Sequence, residues 1–154
     1  MENFTITTDK ALVDADLLMI NEPSLPEAMR QLELSEALVG LVDEKPVAVC
    51  LLVKRKGFYE VTNLAVAEPF EGTDAARELL LYACDYIRAK GEVYIVEVGA
   101  GNADLARHKT LMAMGFRVVG VWRDHFLRNV RFVKEIDGVP NCDLLRYQID
   151  LRNA

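Results

Sequence analysis

The run Asn63-Leu64-Ala65-Val66-Ala67-Glu68-Pro69-Phe70-Glu71-Gly72-Thr73-Asp74-Ala75-Ala76-Arg77-Glu78-Leu79-Leu80 constrains this chain more than any other, because an apolar strand passes through a short turn directly into an amphipathic helix. The first turn of a helix exposes N–H groups that have no intrahelical acceptor and carries partial positive charge, so such a junction attracts anions, phosphates above all. This turn also carries two carboxylates, Glu71 and Asp74. They read either as helix-start acids that complement the dipole, with Thr73 or Asp74 as N-cap, or as flanks of a turn that still takes a diphosphate. Gly72 serves either a close backbone approach to phosphate or a turn with positive φ.

The rest of the chain alternates helical and extended signals. Thr8-Asp9 starts a short helix over Ala11 to Met19, and Ser24-Leu25-Pro26-Glu27 is a capping-box pattern with proline in the first turn of a second helix. Apolar runs Ala37 to Val42 and Val47 to Val53 read as a hairpin across Asp43-Glu44-Lys45-Pro46. A third strand spans Phe58 to Val66. The helix after the turn runs from about Asp74 to Lys90, with Ala76, Leu80, Ala83 and Ile87 at helical spacing and Gly91 ending it. Strand Val93 to Val98 leads through Gly99-Ala100-Gly101 to a helix from about Asn102 to Met114, stopped by Gly115. Phe116 to Phe126 and Asn141 to Leu151 are two final strands. This order predicts one α/β domain over residues 1–154, a mixed, largely antiparallel sheet of six or seven strands flanked by helices.

Composition narrows the functional classes. Hydrophobic residues are 51% and charged residues 27%, a globular balance with no run long enough to span a bilayer and no leader pattern, which predicts a soluble cytoplasmic protein. A net charge of −6 argues against nucleic acid and anionic membranes as general partners, a local basic patch aside. Cys50, Cys84 and Cys142 lie far apart, with His108 and His125 the only imidazoles, so neither a disulfide framework nor a metal site is predicted. Cys142 reads as a structural cysteine rather than a nucleophile paired with His125. His108 reads as a solvent-facing helix residue, and Trp122 with Phe126 as core or a dimer face.

Asn63 to Leu80 and Gly99 to Phe116 together resemble the two cofactor motifs of the GNAT N-acetyltransferase superfamily, with the element order agreeing over roughly residues 10 to 150. Gly72 and Ala76 fall on two small positions of the first motif; Asn102 to Gly115-Phe116 follows the second. A small bacterial subgroup is similar through Asp124-His125-Phe126, Gly138-Val139 and Asp143-Leu144. The resemblance implies a GNAT-like acyl-CoA N-acyltransferase fold and an acetyl-CoA-dependent N-acetyltransferase that acts on a small amine by direct transfer, with a homodimer possible. It implies pantetheine pairing with backbone at Leu64, Ala65 and Val66, pyrophosphate on Gly72, Thr73, Asp74, Ala75 and Ala76, and a second-motif contact from Asn102, which otherwise serves as N-cap of the following helix. Glu60 or Glu97 is then the general base, or else each is a salt-bridged rim acid. Asn63 either contacts substrate or cofactor or supports a strand bulge.

Three positions depart from the family pattern. Glu71 stands where a basic or amide residue is common, Asp74 replaces a glycine, and Leu111 holds the place of a tyrosine that protonates the leaving thiolate. A carboxylate about 5 Å from one phosphate charge costs ~3 kcal/mol at an effective dielectric near 20, roughly a hundredfold in affinity. The competing reading is therefore a catalytically impaired GNAT-fold protein acting as a binding or dimerisation module.

Overall fold

The computed structural model describes Met1 and residues 3–153. Two compact units divide the chain, Met1–Tyr94 and Ile95–Ala154. The first unit holds strands β1 (Phe4–Thr7), β2 (Glu36–Val42), β3 (Lys45–Lys54) and β4 (Tyr59–Val66), with helices α1 (Ala15–Leu18), α2 (Leu25–Glu33) and α3 (Ala75–Lys90). Each strand pairs antiparallel with the next.

β2 and β3 are nearly continuous apolar runs because both faces of the sheet are covered there. Ala37, Val49, Leu51 and Ala65 meet Leu17, Leu18 and Ala28 of α1 and α2 in one buried cluster. The alternate residues Leu38, Ala48, Cys50 and Leu64 are equally buried. By the two-residue strand period they turn to the other face, where α3 lies against β2, β3 and β4 through a stripe including Leu79, Leu80, Ala83 and Ile87. Gly91, at φ +67°, closes α3 in the left-handed conformation, as its sequence predicts.

Several expectations are corrected. The β2–β3 turn is tighter than the sequence suggests, with Asp43 and Glu44 both at positive φ so that Lys45 and Pro46 already belong to β3. The N-terminal helix is two pieces, since Asp9 caps a 3-10 turn at Lys10–Leu12 and Asp14 separately caps α1. Strand β1, only four residues long, carries no sequence signal strong enough to predict it.

The second unit holds β5 (Ile95–Gly101), α4 (Leu105–Ala113), β6 (Arg117–Trp122), a short pair β7 (Glu135–Ile136) and β8 (Val139–Pro140), and β9 (Leu144–Asp150). β9 lies between β5 and β6, antiparallel to both. Gly99, Ala100 and Gly101 are strand rather than turn, because they pair with Arg146, Leu145 and Leu144. A side chain at Gly99 would strike Leu144 at 2.8 Å, so the strand tolerates no Cβ there without displacing it. Between β6 and β9 the chain forms a π-helical turn at Phe126–Val130 and then the β7–β8 hairpin.

Candidate active site

Five predicted positions, Glu60, Asn63, Leu64, Ala65 and Val66, sit on β4, and Gly72 to Ala76 follow its exit. β3 covers one edge of the strand through Cys50–Leu64, Val49–Ala65 and Ala48–Val66. A bulge leaves Thr62 without a partner on β3, since Leu51 faces Asn63 and Leu52 faces Val61. Asn63 is buried beside it. Its Nδ2 donates to the Leu18 carbonyl at 3.1 Å and its Oδ1 accepts from Asn21 Nδ2 at 2.9 Å, so its side chain braces the strand against the end of α1. Asn21 Nδ2 also donates to the Leu64 carbonyl at 3.0 Å. The backbone expected to meet pantetheine is therefore held by the chain's own amides just where it begins.

Beyond Val66, Pro69 sits in a 3-10 turn at Glu68–Phe70, and Gly72 turns the chain at φ +79° with nothing within 4 Å of where a Cβ would stand. Thr73 Oγ1 accepts a long bond from the Ala75 N–H at 3.4 Å. Asp74 occupies the N-cap position of α3, but its side chain makes no capping hydrogen bond. Of the two cap candidates, then, Thr73 engages the helix start and Asp74 does not. Glu71, Gly72, Thr73 and Asp74 are all exposed, whereas Ala75 is fully buried and anchors the first turn against the core.

Glu60 lies on β4 of the first unit, where Arg55 Nε donates to its Oε1 at 3.0 Å. Glu97 lies on β5 of the second unit, 3.8 Å from Arg146 Nη2. Each carboxylate thus has a guanidinium beside it, and a role as base requires an incoming amine to share or displace that contact.

Asn102 is not the helix cap. Asp104 is, accepting from the Arg107 N–H at 3.1 Å. Asn102 instead gathers the other end of the unit: its Oδ1 accepts from the Cys142 and Asp143 N–H groups at 2.9 Å each, and its Nδ2 donates to the Pro140 carbonyl at 3.0 Å. Asn141 answers from the opposite side, its Oδ1 accepting from Ala103 N–H at 3.1 Å.

Further residues that the sequence singles out lie in the second unit. His108 is buried rather than solvent-facing, its Nδ1 2.6 Å from Tyr147 Oη, and burial pushes the Tyr147 hydroxyl up from its ordinary value. Leu111 is fully buried and offers no proton. Trp122 is half-exposed and lies 4.3 Å over the buried Arg146 guanidinium, a contact no sequence signal announces. Burial, then the Arg146 charge, hold His125 below its usual value, and Asn129 Nδ2 lies 3.2 Å from its Nδ1. Cys142 brings its sulfur near Asp124 and Asp143 rather than into a histidine dyad, and Asp143 Oδ1 accepts the Asp124 N–H at 2.8 Å.

Antiparallel strands flanked by helices, a strand that turns into a helix whose N-cap side chain makes no capping bond, and a second strand–helix unit are the architecture of a GNAT acyl-CoA N-acyltransferase. The model described as acetyltransferase (GNAT) family matches residues 11–116, and the chain belongs to that family. Among individual proteins it is similar to the uncharacterized N-acetyltransferase YvbK of Bacillus subtilis (strain 168), 27% identical over 137 residues and 88% of each chain. It superimposes on an IAA acetyltransferase from Bacillus cereus ATCC 14579 with a TM-score of 0.89 at 23% identity, covering 96% of this chain and 99% of that one. A Bacillus subtilis acetyltransferase solved in complex with CoA gives a TM-score of 0.82 at 25% identity, covering 97% and 98%.

Proposed function

We propose that this chain transfers the acetyl group of acetyl-CoA directly to the nitrogen of a small amine, with residues 1–154 acting as one functional domain. The family match crosses the boundary between the two units, which supports reading them together. The observation that carries the cosubstrate is the start of α3. Asp74 leaves the Ala76 and Arg77 N–H groups without a side-chain acceptor among the described residues, and nothing stands within 4 Å of where a Gly72 Cβ would lie, so the turn supports a diphosphate approaching these donors.

In this reading Leu64, Ala65 and Val66 receive the pantetheine arm through their backbone, Gly72 to Ala76 receive the pyrophosphate, and Asn102 secures the second motif by fixing the loop at 140–143. Acetyl-CoA supplies an activated thioester. Glu60 or Glu97 takes a proton from the attacking amine, and backbone N–H groups stabilise the developing oxyanion. Because Leu111 has no proton to give, the leaving thiolate takes one from solvent or takes the proton that the attacking nitrogen gives up as the amide forms.

Thermal stability in the presence of acetyl-CoA tests the reading. Stabilisation that grows with ligand concentration is the expected result. A flat response up to about millimolar ligand would remove the transferase reading and leave a binding module on the same fold.

A further inference from the structure

Charge in this acidic chain is sharply uneven. Between residues 117 and 134 five cations, Arg117, Arg123, Arg128, Arg131 and Lys134, face one acid, Asp124, while the remainder carries 13 basic residues against 23 acidic. All five are exposed, and none forms an ion pair among the described residues. Elsewhere Arg30, Arg55, Arg88 and Lys90 are ion-paired, while the cations without an ion pair among the described residues, such as Lys45, Lys56, Arg77 and Lys109, are scattered along the sequence among acidic residues rather than gathered in one segment. Holding five unpaired like charges on one segment is self-repulsive, so their natural counterpart is an anionic partner.

The same segment presents apolar surface and open backbone. Val118, Val119, Val121 and Trp122 are 49, 55, 50 and 48% exposed, with Leu127 and Phe132 at 60 and 57%. β6 is the last strand in its sheet and, among the described residues, pairs only with β9, so its other edge offers N–H and C=O groups without ladder partners there. No charge lies between Arg117 and Arg123 to guard that edge.

Only one kind of occupant uses all three features. An anionic bilayer would take the cations and the apolar groups but leave the strand's backbone unsatisfied in hydrocarbon. Nucleic acid would take the cations and Trp122 but leaves Val118, Val119 and Val121 facing phosphates. A second copy would bring the same cations against these, and the bulge between Val118 and Gly120 bends the edge away from long self-pairing. We propose that the open edge of β6 and its flanking arginines dock an extended acidic segment of another protein, alternating carboxylate and apolar side chains, which adds to the sheet as a further strand. The apolar side chains lie on the valines and Trp122, and the carboxylates meet Arg117, Arg123, Arg128 and Arg131.

The test uses the full chain and a fluorescent peptide of sequence DVEVDVEV, with KVKVKVKV as the charge-reversed control. A third peptide keeps the acidic sequence but is N-methylated at alternate amides, which removes strand pairing and preserves charge. Trp122, the single tryptophan, reports directly from the docking edge. The expected result is saturable anisotropy with a change in Trp122 emission. Binding should weaken at least about tenfold with the N-methylated peptide, with R123E/R131E, and on raising NaCl from about 50 to about 300 mM. Equal binding of the basic or N-methylated peptide overturns the proposal. So does tighter binding of phosphatidylserine vesicles or a single-stranded oligonucleotide than of the acidic peptide, or no acidic-peptide binding at all. Unchanged circular dichroism of R123E/R131E shows that the fold is intact, and acetyl transfer is not part of the readout.

Discussion

Tyr86 Oη and Lys90 Nζ converge on the same carboxylate oxygen of Glu36, at 2.5 and 2.7 Å, while Tyr59 Oη reaches its other oxygen at 3.1 Å. This joins the start of β2 to the start of β4 and the last turns of α3. Burial alone would raise the Glu36 carboxyl, but the hydrogen bonds from Lys90, Tyr86 and Tyr59 outweigh it and hold it below its usual range. Hydrogen bonding to Glu36 likewise raises Lys90 above its ordinary value.

Glu36→Gln keeps one acceptor oxygen, turns the other into an NH2 donor facing a tyrosine hydroxyl that can rotate to accept it, and removes the charge opposite Lys90. The pair is partly exposed, so the expected loss is modest, about 1 kcal/mol, or a fall in Tm of roughly 2–4 °C. The pH dependence has a definite sign. A depressed carboxyl contributes fully above its unfolded value, about 4.3, and that contribution disappears as pH falls through the folded-state value. A raised ammonium contributes fully below about 10.4 and is lost as pH rises through its folded-state value. The difference in Tm between wild type and variant should be flat between about pH 5 and 10 and close at lower pH. A gap unchanged in acid would show that charge is not its source.

Asn141 and Gly101 form a second interdependent pair. A Cβ at Gly101 would fall onto the Asn141 amide, and that amide holds the N–H of Ala103. Asn141→Ala should cost about 1–3 kcal/mol by leaving a buried donor without its acceptor. Gly101→Ala should cost a similar ~1–3 kcal/mol through overpacking. In the double variant the added methyl occupies space the asparagine has vacated, so the combined loss should be clearly smaller than the sum. Urea denaturation of all four proteins measures the coupling; strict additivity would mean that the two positions do not share this space.

The helix α3, its glycine stop and the strands β2, β3 and β4 are legible in sequence because each carries a strong local signal: period 3.6 closed by Gly91, or apolar runs bounded by turn residues. What sequence misplaces is decided by partners far along the chain. Asn102 and Asp104 are equally good caps by type, and the pairing of Gly101 with Leu144 carries β5 far enough that Asp104 takes the position. His108 is polar and reads as exposed, yet the Tyr147 hydroxyl makes its burial tolerable. The same holds for Arg146, whose packing under Trp122 depends on β6 and β9 lying side by side. At the α3 turn the acidic pair is visible in sequence, but the direction of the Asp74 side chain, which decides whether the helix start is already filled, is a rotamer property that no pattern encodes.

The three thiols should separate cleanly. Cys50 and Cys84 are buried, and burial pushes the Cys84 thiol up to about 11, whereas Cys142 is only partly covered. At about pH 8 a disulfide reagent should titrate one thiol rapidly in the native protein and the other two at the rate of unfolding. Peptide mapping should assign the fast thiol to Cys142. Rapid labelling of Cys84 would show that the α3 face opens locally.

Asp74→Gly tests the helix start most directly. Asp74 lies at the N-cap of α3 without capping it, so removing its side chain forfeits no hydrogen bond, and the stability cost should be a few tenths of a kcal/mol. Its effect on a bound diphosphate is electrostatic. At about 5 Å the repulsion is ~3 kcal/mol in a partly buried environment but under about 1 kcal/mol in bulk water. Asp74 is exposed, which places it toward the aqueous limit. Glycine should therefore tighten CoA by about three- to tenfold, with the gain shrinking as salt rises. Titration calorimetry at low and high ionic strength reads both quantities. Unchanged affinity at low salt would mean that the carboxylate already points away from the diphosphate, and weaker binding would mean that Asp74 itself takes part in holding the ligand.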